Sequence, residues 1–217
     1  MSVQTIERRI LTIGSEVRVS GGDVPTITGH AAVFNLPSED LGGFTEIVKK
    51  GAFKESLSRG DDVRALVDHD PSRILGRTSS GTLRVKEDRA GLAVEIDVAD
   101  TQAGRDIVTS IRRGDVSGMS FGFRTIEDSW RTVDGEEVRE LKKADLIDVS
   151  PVTFPAYPDT DVSVAQRSME TWKKEHPVNQ SLGDLIGGLE KTGVIEKCSE
   201  PVPLSVLKAK LDMAEAE

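Results

Sequence analysis

The chain has 217 residues, 37% hydrophobic, 30% charged and 4% aromatic, and its 28 Lys and Arg against 37 Asp and Glu leave a net charge of -9. That length supports one principal domain with a mostly aliphatic core, and an acidic chain without a clustered Lys/Arg face excludes nucleic acid as a partner. No apolar run approaches the roughly 20 residues of a membrane helix, and the single cysteine, Cys198, excludes a disulfide framework and a cysteine-rich metal site.

The opening, MSVQTIERRILTIG, lacks the apolar centre of a signal peptide, so the chain reads as cytoplasmic, with no membrane partner. Up to Phe154, short β-branched runs broken by Gly, Asp, Asn and Ser predict antiparallel strands at 5–12, 25–34, 62–68, 82–87 and 91–98. Between them, a strand at 45–48 and a short helix at 52–58 precede the stop at Gly60. DTQAGRDIVTSIRRGD predicts a second helix, capped by Asp100 or Thr101, apolar along Ile107, Val108 and Ile111, and ended by Gly114.

The strand VSGMSFGFRTIED comes next, then an Asp-Gly turn at 134 and 135 and two further strands, the sheet ending near Tyr157 to Asp159. Composition changes from Val162. SVAQRSMETWKKEH is helical, the following stretch is interrupted by Gly and Pro, and LSVLKAKLDMAEAE forms a short amphipathic helix. The predicted organisation is a β domain over 1–161 and a helical, partly flexible tail over 162–217.

Histidine is scarce, with only His30, His69 and His176. His30 lies mid-strand among apolar residues and reads as a satisfied side chain, and His176 reads as solvated. His69 ends the strand RALVDHD, where it can project from the face of Val63, Ala65 and Val67. An imidazole is the usual base for a weak hydroxyl nucleophile. Ser120, in GMSFG, is the hydroxyl with a small-residue neighbourhood, although a strand follows it where a nucleophile elbow would have a helix.

A third group must hold the imidazole's tautomer, and Asp145 and Asp148 share one predicted strand, directed by their odd spacing to opposite faces. Asp148 shares a face with Ser150, whereas Asp145 goes with Ile147 and Val149. No His-x-x-x-His, His-x-His or carboxylate cluster gathers three metal ligands, and no cofactor is expected.

In order, ITGHAAVFN, GGFTEIVKKGAF, VRALVDHDPSRILGRTSSGTLRV, GLAVEIDV, RGDVSGMSFGF and LIDVSPVTFPAYPDT resemble the prohead proteases of tailed phages, serine peptidases similar in fold to herpesvirus assemblins. The resemblance spans roughly residues 8–165. It implies a mainly β fold, an antiparallel β-barrel with flanking helices, and a serine endopeptidase. It assigns His69 as base, Ser120 as nucleophile and Asp148 as acidic partner, with Asp145 the alternative. Backbone amides in SPVTFPA are candidates for the oxyanion site by position. The implied substrates are the major capsid protein or its scaffold segment and the protease itself, inside the assembling procapsid in the host cytoplasm, with a homo-oligomer as a further partner. The competing reading is a catalytically silent assembly module that binds scaffold or capsid protein; a weaker one is a small-ester hydrolase.

Overall fold

The computed structural model describes residues 5–11, 17–21, 24–153 and 163–176. The chain divides into two compact units, 1–172 and 173–217, and of the second only the end of one helix and His176 are described. The predicted terminal helix, Cys198 and Tyr157 to Asp159 lie outside the described residues.

In chain order the strands are β1 (Glu7–Leu11), β2 (Arg18–Ser20), β3 (Thr26–Val33), β4 (Phe44–Val48), β5 (Arg64–Val67), β6 (Asp70–Arg77), β7 (Leu83–Glu87), β8 (Gly91–Asp97), β9 (Gly118–Val133) and β10 (Glu136–Val152). The helices are α1 (Lys54–Arg59), α2 (Gln102–Arg113) and α3 (Ser163–Glu175). The strands form two sheets around one core, a mainly β half-barrel: β1-β9-β10-β5-β6, with β4 also on β10, and β2-β3-β8-β7. Pairing is antiparallel except where β10 meets β4 and β5.

β10 is the spine of the larger sheet. Its 17 residues pair along one side with β9, and on the other first with β4 and then with β5. The sequence predicts an Asp-Gly turn and two further strands beyond VSGMSFGFRTIED, whereas β9 itself runs on to Val133 and a single strand, β10, follows the turn. Register shifts at Leu141/Lys143, Lys143/Ala144 and Leu146/Asp148 explain the difference: they interrupt the alternation while the ladder to β9 continues. Two strands, β2 and β6, were not predicted. β6 opens with Asp70-Pro71-Ser72-Arg73, and its edge position lets the strand carry that proline.

The inner faces meet over a mostly aliphatic core that includes Ile27, Leu92, Val94 and Ile96 from the smaller sheet and Met119, Phe121, Phe123, Leu146 and Val149 from the larger. α2 docks by Ile107, Val108 and Ile111, all buried, each worth roughly 2 kcal/mol. Thr101 caps it, its hydroxyl accepting from the Gly104 amide at 3.1 Å, and Gly114 ends it at φ 83°. The chain then enters β9 and reaches Ser120. Ala165 of α3 is buried with Leu41, Phe44 and Trp130.

At the β1 side, the sheet interior is ionic. Arg139, with no exposed surface, donates to Glu7 at 2.7 Å, to Glu46 at 2.8 Å, to Asp128 at 2.7 Å and to Thr125 at 2.9 Å. Arg9 donates to the same Glu46 at 2.9 Å and to Glu7 at 2.8 Å. Burial raises the pKa of the Glu7 carboxyl, but hydrogen bonding and charge from Arg139, with help from Arg9 and Thr125, more than offset it and hold Glu7 below its ordinary value. This network ties β1 to β4, β9 and β10.

Candidate active site

Three different elements bring Ser120, His69 and Asp148 together. In β9, Met119, Phe121 and Phe123 fill the core, so alternation sends Ser120 and Gly122 to the opposite face. The antiparallel register with β10 sets Ser120 opposite Ser150 and Gly122 opposite Asp148. Four residues of one face thus form two adjacent rows.

His69 arrives from the side by a turn. Val67 pairs with Asp70, leaving Asp68 and His69 as a two-residue hairpin connection, both left-handed, at φ 49° and φ 58°. Those angles are the type I′ pattern that suits the twist of flanking strands. They also break the alternation on which the sequence expectation relied: Val63, Ala65 and Val67 face the core, and His69 does not share their side. Asp68 fastens the turn to β10. Its amide donates to the Pro151 carbonyl at 3.1 Å, and its carboxylate accepts from the Thr153 amide at 2.8 Å and the Thr153 hydroxyl at 3.2 Å. Asp70 turns the other way and accepts from Ser72.

The three side chains are joined in series. His69 Nδ1 lies 2.5 Å from Asp148 Oδ1, and His69 Nε2 lies 2.5 Å from Ser120 Oγ. The Ser120 and Asp148 side chains are buried, and His69 is 10% exposed. Ser120 Oγ is also 2.9 Å from the Arg9 carbonyl. A hydroxyl has one hydrogen to give. With Nδ1–H donated to Asp148, Nε2 is the acceptor and Ser120 donates to it; donation to Arg9 belongs to the ring with both nitrogens protonated. β1 therefore carries an alternative acceptor for the hydrogen of Ser120.

Of the two carboxylates left open by the sequence, Asp148 joins His69 and Asp145 does not. Strict alternation would send them to opposite faces, yet the core takes Ala144 and Leu146 on one side of the Leu146/Asp148 register shift and Val149 on the other. The shift reverses the parity, so neither aspartate faces the core. Position along the strand separates them: Asp145 accepts from Arg59 at 2.5 Å, some distance before the His69 turn.

His30 sits 2.9 Å from Asp88, in keeping with a satisfied side chain. Asp88 is held at a pKa of about 2, chiefly by the Gly91 amide, against burial, with His30 and the Ala90 amide adding to the lowering. His176 is exposed. Among the oxyanion candidates, Pro151 has no N–H, the Thr153 amide is given to Asp68, and residues 154–156 lie outside the described residues. Sequence reasoning missed the tie that Asp68 makes to Thr153 and the room that Gly122 leaves for Asp148. Their signals were the Asp-His pair at a strand end and a glycine two residues after the serine, both legible only once the register is known.

A hydroxyl, an imidazole and a carboxylate joined in series on a β scaffold define the serine hydrolase class of site. Over residues 14–175 the chain matches the family described as Caudovirus prohead serine protease. It is similar to the prohead protease of Enterobacteria phage HK97, 27% identical over 177 residues, which cover 80% of this chain and 74% of that protein. Among solved structures it is similar to the bacteriophage T4 capsid assembly protease, with 14% identity and a TM-score of 0.46, covering 68% of this chain and 98% of that one. The chain belongs to the caudovirus prohead serine protease family. It is a serine peptidase of phage capsid maturation. Among the described residues no helix is long and apolar enough to cross a membrane.

Proposed function

We propose that Ser120 is the nucleophile of this peptidase, His69 its general base and Asp148 the group that orients the imidazole. The observation that carries the assignment is the unbroken series Asp148–His69–Ser120, with both contacts at 2.5 Å. In the first step Ser120 Oγ bonds to the scissile carbonyl carbon while its proton passes to His69 Nε2. The imidazolium is held by Asp148 through Nδ1–H. His69 then returns the proton from Nε2 to the leaving amine, which departs and leaves an ester on Ser120. Water, deprotonated by Nε2, attacks that ester and frees the serine.

The substrates are the scaffold portion of the major capsid protein, or a separate scaffold, and the protease itself, cleaved inside the assembling procapsid in the host cytoplasm. Confinement there raises the effective concentration of both partners, so modest affinity suffices. A second copy of the chain is accordingly a substrate and a candidate oligomeric partner, and the segment after residue 161 is a guide into the procapsid that processing removes. Intact tail in mature particles, read by mass spectrometry, would count against that last point.

Co-expression of the capsid protein with Ser120→Ala tests the assignment. Loss of processing with folding retained supports it. Continued processing would overturn it and favour a silent scaffold-binding module.

A further inference from the structure

We propose that Ser150 is a positioning residue of this site, acting with Gly122 to hold the Asp148 carboxylate in the rotamer that meets His69; the inference rests on the roles just given to His69 and Asp148. Ser150 is fully buried and lies two residues beyond Asp148 on β10, past the register shift, so the two side chains share a face. Its hydroxyl is 3.0 Å from Asp148 Oδ1 and 3.4 Å from His69 Nδ1. In the reactive tautomer Nδ1 carries a hydrogen and accepts nothing, which leaves Asp148 Oδ1 as the acceptor of the Ser150 hydrogen. Oδ1 then receives two donors, His69 Nδ1–H at 2.5 Å and Ser150 Oγ–H at 3.0 Å.

The other carboxylate oxygen has a different constraint. Oδ2 lies over Gly122, the residue opposite Asp148 in the β9–β10 register, and a Cβ at that position would overlap it. Gly122 has ordinary strand geometry, so the requirement is for space rather than for an unusual φ. The terminal torsion of an aspartate is broad and roughly two-fold. Strand geometry alone therefore does not choose which oxygen faces the ring or at what tilt. Ser150 fixes one oxygen by a hydrogen bond and Gly122 admits the other. Among the described residues, His69 and Ser150 are the side chains that donate to this carboxylate.

The test uses the full chain and a fluorophosphonate probe, which phosphonylates an activated serine without any peptide preference. Labelling is followed by mass spectrometry of the Ser120 peptide, and the His69 Nδ1 proton by its far-downfield proton resonance. Ser150→Ala is expected to slow labelling about tenfold, as loss of one bond to a charged group implies, and to shift or broaden the resonance. Ser150→Thr, which keeps a hydroxyl, restores both. Ser150→Cys, which keeps the volume with a weak donor, carries the same expectation if the alanine variant does not fold. Gly122→Ala slows labelling with Ser150 intact. Unchanged rate and resonance in Ser150→Ala or Ser150→Cys, with Ser120→Ala unlabelled, would overturn the role of Ser150 and leave the relay standing. Label on a residue other than Ser120, or Asp148→Asn reacting as fast as the unaltered protein, would overturn the relay itself.

Discussion

Ser120 has no exposed surface, and its hydroxyl is shared between an imidazole nitrogen and the Arg9 carbonyl. Asp148→Asn keeps the shape of the side chain but can present its NH2 to His69, which favours the wrong tautomer. By analogy with other serine proteases the loss in kcat is about 10⁴-fold, measurable in single-turnover cleavage, with thermal unfolding changed little. Asp145→Asn serves as the comparison. It loses a half-exposed bond to Arg59 and is expected to leave cleavage unchanged and to cost at most about 1 kcal/mol. At this scale His69 stood out because histidine is scarce and Ser120 because glycines lie near it, while the roles proposed for them came from the family resemblance. The choice between Asp145 and Asp148 was not, because one register shift undoes the alternation that the choice needed.

The element that decides the site is the hairpin connection Asp68–His69. Two consecutive left-handed non-glycine residues are uncommon, and here the tie between Asp68 and Thr153 holds them. Asp68→Ala removes that tie and places alanine at φ 49°, where its side chain is strained and no local hydrogen bond compensates. The expected result is a stability loss of about 1–3 kcal/mol in denaturant melts, together with a fall in kcat larger than the change in KM, since His69 loses its anchor. Equal changes in both, or none in kcat, would contradict the role given to this turn. Elsewhere the elements were read well from local chemistry. α1 ends at Gly60, and α2 is capped at Thr101 and closed at Gly114, as their residues required. β6 escaped notice because its proline, serine and arginine read as a loop unless the strand is known to be an edge.

For the whole molecule, the ionic layer around Arg139 couples stability to pH. The folded-state pKa of Glu7 lies below its ordinary value of 4.5. Its contribution is therefore fully present above about pH 4.5 and is lost as pH falls through the lower, folded value. Thermal unfolding between pH 3 and pH 7 should show a steep loss at the acid end, and Glu7→Gln should flatten it. A variant curve parallel to that of the unaltered protein would remove Glu7 from the account. Arg139→Ala leaves the buried carboxylates of Glu7 and Glu46 with Arg9 as their one remaining guanidinium donor and is expected to cost about 3–5 kcal/mol, whereas Arg139→Met, which also removes the charge but fills the space, should cost less.

The sequence by itself determined most of the strands and helices, where the helices stop, that the core is mostly aliphatic, and, through the family resemblance, which histidine and serine to propose for the chemistry. The elements follow from local patterns, namely periodicity, capping residues and glycine stops, and the proposed roles of His69 and Ser120 from the ordered family resemblance. Only the tertiary structure decided which aspartate lies against His69, the side of the sheet on which His69 emerges, and the nearness of Ser150 and Gly122 to Asp148. Those depend on the register between β9 and β10, its shift after Leu146, and two left-handed residues at a turn. A slip of one residue would exchange the two faces of a strand, and register is set by partners distant in the chain.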